Sequence, residues 1–94
     1  MLFEWDENKN RKNRAKHGIS FEVAATVFDD PHCASRIEST YHCEERWQSI
    51  GRVGDLLLLF VSHTYQDADD IVVRIISARE ALPRERRQYE NGTF

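Results

Sequence analysis

Lys16, His17, Arg46, Arg74 and Arg79 are the side chains of this sequence whose types suit one chemistry when taken together. Guanidiniums are always protonated and rigidly forked, which fits them to hold a phosphate and the charge that builds on it during transfer. An imidazole beside an ammonium supplies groups able to accept and donate protons. Cleavage of RNA through its own 2′-hydroxyl asks for a base, an acid and cations, with no metal required. Arg46, Gln48 and Arg52 share one parity of a predicted strand. Arg74 and Arg79 have opposite parity, so they share a site only where their strand ends or bulges near Ser77. Taken singly, each arginine also has acids nearby that would account for it as an ion pair.

The elements that must position these groups are legible in outline. Asp6 is a plausible N-cap and Gly18 a left-handed stop for a helix over residues 7–17. His17 then closes that helix, where the negative pole of the dipole favours imidazolium. From Glu7 to His17 the only apolar side chain is Ala15. At roughly 100° per residue, Asp6, Lys9, Asn13, Lys16 and His17 fall in one arc about 100° wide. A helix with nothing apolar to bury is held for another reason, and the polar stripe reads as a working surface. Ser20 caps a second helix whose Phe21, Ala24, Ala25 and Phe28 form a core-facing stripe, ended by Asp30-Pro31.

The middle of the chain reads as strands at residues 33–39, 45–53, 56–65 and 71–79, with a tight turn at Gly54-Asp55 and a loop over 66–70. The apolar run from Leu56 to Val61 suggests a central strand covered on both faces. Leu2 to Trp5 alternates weakly, as a short edge strand would. Pro83 suits the first turn of a last helix running to about Glu90, although Leu82 offers no capping side chain. The expectation is an α+β domain: two N-terminal helices, a four-stranded antiparallel sheet and a C-terminal helix, with the helices against one face.

Ninety-four residues make one domain with a single core. No apolar run approaches the ~20 residues of a membrane span. The N-terminus has neither the basic nor the apolar region of an export signal, so the expected compartment is the cytoplasm, with Cys33 and Cys43 as reduced thiols. The net charge of −3 conceals an asymmetry. Lys9, Arg11, Lys12, Arg14 and Lys16 lie in a segment with no acid, and Arg74, Arg79, Arg84, Arg86 and Arg87 lie near the other end. Residues 17–73 hold three arginines against ten acids. Basic ends around an acidic middle permit an anion-binding face without a basic pI.

Other candidates are weaker. His32-Cys33 and His42-Cys43 suggest zinc, but adjacent strand residues point to opposite faces and the usual cysteine spacing is missing. No metal or other cofactor is expected. His63, at the end of the central strand, is either a satisfied strand residue or a support for catalysis. No phosphate loop, dinucleotide fingerprint or nucleophile elbow occurs.

The sequence resembles the BrnT family of type II toxin–antitoxin ribonucleases. The resemblance rests on Phe3-Glu4-Trp5-Asp6 with Lys9, Asn13 and Lys16 to Glu22, on Val27 to Pro31, on Arg46 with Ile50-Gly51, on Arg74 to Arg79, and on Glu85-Arg86 with Tyr89-Glu90. It implies a RelE-like compact fold and a ribonuclease activity that halts translation. It also implies neutralisation by a cognate antitoxin carrying a DNA-binding domain, often ribbon-helix-helix, so that operator DNA is met only through the antitoxin. By position it assigns Lys16, His17, Arg46, Arg74 and Arg79 to the active site, with Glu85 and Tyr89 as supports. Arg11, Lys12 and Arg14 fall off the helical stripe and, with Arg52, are expected to contact RNA or antitoxin. The sequence departs from the pattern at Gln66, where some relatives have arginine, and at Leu82-Pro83, where the helix start is usually polar. The competing reading is a non-catalytic module whose basic surface only binds the antitoxin or acts as co-repressor.

Overall fold

Asp6 and Gly18 bracket the first helix as their chemistry requires. The Asp6 carboxylate accepts from the amides of Asn8 and Lys9, and Gly18, at φ 72°, donates its N–H to the Arg14 carbonyl. The helix between them, α1, is Glu7–His17. The computed structural model describes residues 1–41, 44–67 and 70–94. His42 and Cys43, one of the two His-Cys pairs weighed and set aside as zinc ligands, lie outside the described residues.

The sheet has five strands: β1 (Leu2–Glu4), β2 (Ala34–Tyr41), β3 (Glu44–Val53), β4 (Leu57–Asp67) and β5 (Ile71–Glu80). They lie in the order β1-β5-β4-β3-β2. The four expected strands form an antiparallel meander. The expectation of an all-antiparallel, four-stranded sheet needs correcting, because β1 adds parallel to β5, Glu4 pairing with Arg74. Three residues carry too little periodicity to announce which partner they will take.

Two helical segments follow one another on one face of the sheet. The second helix, α2 (Phe21–Ala25), ends sooner than its apolar spacing suggests and continues as a 3₁₀ turn over Thr26–Asp29. The Thr26 hydroxyl bonds back to the Val23 carbonyl at 2.6 Å, a local competitor of the helical ladder. Val27 then packs so tightly on β3 that a Cβ at Gly51 would lie 2.7 Å from the Val27 carbonyl oxygen. Phe21, Ala24 and Val27 meet Leu59, Val61, Val73, Ile75 and Ala78 in the main core.

The helices do not all lie on one face, a second correction. The last helix, α3 (Pro83–Asn91), packs on the reverse side. There Phe94 meets Phe60 edge-on and Glu85 binds Arg79. Ile50, Leu58 and Phe60 are buried beneath this end. An apolar run buried on both faces carries no parity from which the helices could be allotted to sides. The missing cap at Leu82 is made good by Glu85, whose carboxylate accepts the Leu82 N–H at 2.8 Å.

Candidate active site

The site depends on one irregularity. Ser62 pairs with Ser77, yet the next residue, His63, pairs with Ile75, so Ile76 is an extra residue in β5. A bulge of this kind resets the alternation of side chains. Arg74 pairs with Thr64 and Arg79 with Phe60, residues of the same parity on β4, so the two arginines share a face. Trp47 pairs with His63, which puts Arg46 at the level of Thr64 on that same face.

The face can be read as rows across the strands. One row runs Arg46, Thr64, Arg74 and Glu4. The next, about 7 Å along, holds Arg36, Gln48, Ser62 and Ser77. The third holds Ile50, Phe60 and Arg79. Four residues of β4 separate the Arg74 and Arg79 levels, roughly 13 Å. A short-chain polar floor therefore lies between cationic rows, and α3 walls off one end. Thr64 is buried, and its hydroxyl has no hydrogen-bond partner among the described residues.

Each arginine has a different anchor. Arg79 makes a two-pronged pair with Glu85, Nη1 to Oε1 at 2.8 Å and Nη2 to Oε2 at 2.9 Å, with its guanidinium 4.2 Å from the Phe60 ring centroid. Burial opposes the charge on Glu85, but the Arg79 guanidinium and the Leu82 amide outweigh it, and the carboxyl stays below its usual range. Arg74 meets Glu4 at 3.3 Å. Arg46 is exposed. Arg36 donates to Gln48 at 2.8 Å and lies over the Phe94 ring. Arg52 stands at the far end of this face, donating to the Asp55 carbonyl and lying 5.7 Å from the Tyr89 ring centroid.

The stripe on α1 has a different meaning from the one its sequence suggests. Asn13 donates to the carbonyls of Ile19 and Ala78, each at 2.8 Å, and accepts the Ala78 N–H at 3.2 Å. Asn10 accepts the Phe21 N–H and donates to Glu7 and Glu22. The helix is held by buried amides instead of apolar side chains. Asn13 satisfies the stretch of the β5 edge that three-residue β1 leaves open. Asp6 lies within the field of Arg74; its carboxyl is lowered first by the Lys9 and Asn8 amides, then by the charges of Lys9 and Arg74. The helix thus follows β5, and Lys16, one turn beyond Asn13, stands at about the level of Arg79 and Glu80 along the sheet edge. Lys16 and His17 are exposed at the end of α1 and do not belong to the strands that carry the arginine face. Arg11, Lys12 and Arg14 are exposed on α1, Arg11 donating to Asn8.

Two of the proposed supports are placed elsewhere. His63 is fully buried on the helix-covered face, its Nε2 2.6 Å from Ser49 Oγ and its ring edge-on to Phe28 and Tyr65. Burial pushes its pKa down to about 4, against a smaller opposing effect of the Thr64 backbone, and its Nδ1 has no partner among the described residues. Tyr89 donates to Asp30 at 2.5 Å, tying α3 to the turn before β2. Cys33 is pushed up to about 11, by burial and then by Asp30. Among the described residues no three His, Cys, Asp or Glu side chains converge as a metal site, and no helix is long and apolar enough to cross a membrane.

Sequence reasoning missed Glu4, Arg36, Thr64, Ser62 and Ser77 as members of this face. The two serines, short and polar within otherwise apolar strands, were the available signal.

Comparison with known proteins agrees with this architecture. Residues 5–85 match the family described as "Ribonuclease toxin, BrnT, of type II toxin-antitoxin system". The crystal structure of the Brucella abortus ribonuclease toxin BrnT superposes with a TM-score of 0.61 at 24% identity, over 87% of this chain and 99% of that one. That likeness shows a shared fold. No curated protein matches the chain. With the family pattern spanning nearly the whole sequence, the chain belongs to the BrnT family of ribonuclease toxins of type II toxin–antitoxin systems.

Proposed function

We propose that this chain is a metal-independent endoribonuclease toxin, and that the arginine face is where RNA is bound and cut. The observation that carries the reading is the Ile76 bulge, which brings Arg74 and Arg79 onto the face that already holds Arg46. Arg46 and Arg74 flank Thr64 in one row, and Arg79 lies across the serine floor. In this reading the 2′-hydroxyl attacks the neighbouring phosphorus and the bond to the 5′-oxygen breaks, leaving a cyclic phosphate. The proton of the 2′-hydroxyl goes to a base, and an acid protonates the leaving oxygen. Lys16 and His17, exposed at the end of α1, supply these roles, and the arginines stabilise the charge on the phosphorane. Glu85 sets the direction of the Arg79 fork; Tyr89 holds α3 in place. Arg11, Lys12 and Arg14 extend the cationic surface along α1 for RNA or antitoxin, and Arg52 lies at its margin.

Cleavage would halt translation in the cytoplasm, and the cognate antitoxin, carrying a DNA-binding domain of ribbon-helix-helix type, would neutralise it. The second reading, a non-catalytic antitoxin-binding or co-repressor module, draws on the fact that Arg74 and Arg79 each already have a carboxylate partner. A labelled oligoribonucleotide decides between them. Cleavage in the presence of a chelator, abolished by 2′-deoxy substitution at the cut position, is the expected result. Cutting of the deoxy substrate would refute the attack by the 2′-hydroxyl, and failure to cut any RNA would favour the module.

A further inference from the structure

At the end of the sheet away from α3 lies a cavity of about 730 Å³, lined by Glu45, Trp47, Tyr65 and Ile71 of the face opposite the arginines together with Met1, Glu44, Thr64 and Gln66 at the sheet's end. Its chemistry is unlike that of the arginine face. Trp47 and Tyr65 are half-buried and meet edge to face, with ring centroids 5.2 Å apart and planes at 74°. Met1, Phe3 and Ile71 leave apolar surface exposed at the same corner. Glu44 and Glu45 are exposed at its rim, and among the described residues no lysine or arginine lines it. The Met1 ammonium beside it is already paired with Asp70 at 3.3 Å.

Aromatic faces set at an angle, with carboxylates beside them, are suited to a desolvated cation. Exposed apolar surface continuous with such a pocket marks a macromolecular contact more often than a solvent boundary. RNA is the wrong occupant: two exposed carboxylates, beside an ammonium already paired with Asp70, repel a phosphate backbone. A basic protein segment fits the charge and the apolar rim together.

We propose that this pocket receives an arginine or lysine side chain from a basic segment of the cognate antitoxin, with Trp47 and Tyr65 as its walls and Glu44 and Glu45 as its counter-ions. The proposal rests on the family's implication that such an antitoxin exists. It places antitoxin recognition on the reverse side of the sheet from RNA recognition, so the two can be separated by mutation.

The test measures binding of the purified protein encoded beside this gene by calorimetry, together with RNA cleavage by the toxin alone. Glu45→Lys and Trp47→Ala, both of the parity that faces away from the arginines, are expected to weaken antitoxin binding by at least about tenfold. Cleavage by the free toxin should stay within about twofold of wild type, since none of these residues lies on the arginine face. The Glu45 side chain is exposed, so its charge reversal remains informative if Trp47→Ala fails to fold. Unchanged antitoxin affinity in the charge-reversed protein would overturn the proposal. Lost cleavage with intact antitoxin binding would overturn it too, and would make the pocket an RNA subsite. If the wild-type protein does not bind the neighbouring product at all, it is the partner reading that fails.

Discussion

Replacing Asn13 with alanine should unfold this domain more readily than almost any other single change on α1. The Asn13 side chain serves both backbone groups of Ala78 and the carbonyl of Ile19. Ala78 is 1% exposed, so water does not replace what the amide supplies. Leaving a buried backbone group unpaired costs about 1–3 kcal/mol, and two such groups are orphaned at once. With partial relaxation of the helix toward solvent, the expected loss is about 3 kcal/mol, a large share of the roughly 5–15 kcal/mol typical of a domain. For a chain of this size that corresponds to a fall in Tm of roughly 12–24 °C. Urea unfolding followed by tryptophan fluorescence, with Lys12→Ala as the exposed control, measures it directly. Lys12→Ala should change stability by less than about 0.5 kcal/mol. An Asn13→Ala protein as stable as that control would refute the idea that amides, in place of apolar side chains, hold this helix to the sheet.

Three further outcomes follow from the same structure. Arg79→Ala leaves Glu85 buried without its cation and should cost about 3 kcal/mol, whereas Arg79→Ala/Glu85→Leu should recover part of that loss; denaturant titration of both proteins gives the comparison. His63 is neutral in the fold, with a pKa lowered to about 4, and protonates more readily once unfolded. Its contribution is therefore complete above about pH 6.5 and is lost as pH falls toward 4, amounting to about 3 kcal/mol. His63→Gln should flatten the stability profile across that window, and an unchanged slope would show that other groups set it. Gly51→Ala forces a methyl against the Val27 carbonyl and should destabilise by about 2 kcal/mol, read as a shifted urea midpoint with an unchanged m-value.

Much of the architecture was legible because capping chemistry and turn residues act locally. Asp6, Gly18, Ser20 and Pro83 mark their helices within a residue or so, and the antiparallel meander follows from four β-prone segments joined by short connections. What stayed hidden was set by long-range contacts. β1 is three residues long, and its parallel place beside β5 is decided by where α1 docks. The side chosen by α3 depends on Phe94, Glu85 and Tyr89 finding partners far away in sequence. The site shows the same division. The parity of Arg74 and Arg79 identified the bulge as the condition for a shared face, but nothing local announces that Ile76 is the extra residue. The stripe on α1 reads in sequence as a working surface, yet its centre, Asn13, is a structural anchor. That role is hidden because an asparagine reads alike in sequence whether it faces solvent or a strand edge.

The central claim is that the bulge-built arginine face holds the scissile phosphate, and Arg74→Ala tests it most directly. Arg74 and Glu4 are both partly exposed, so its removal leaves no buried charge behind and the fold should persist. Single-turnover cleavage of a defined oligoribonucleotide by folded Arg74→Ala protein should fall about 10²–10³-fold, the usual loss for one preorganised donor to a developing oxyanion. Arg52→Ala, altered at the far end of the same face, should cleave within about threefold of wild type. Equal cleavage by the Arg74→Ala and wild-type proteins would contradict the account and move the site off this face.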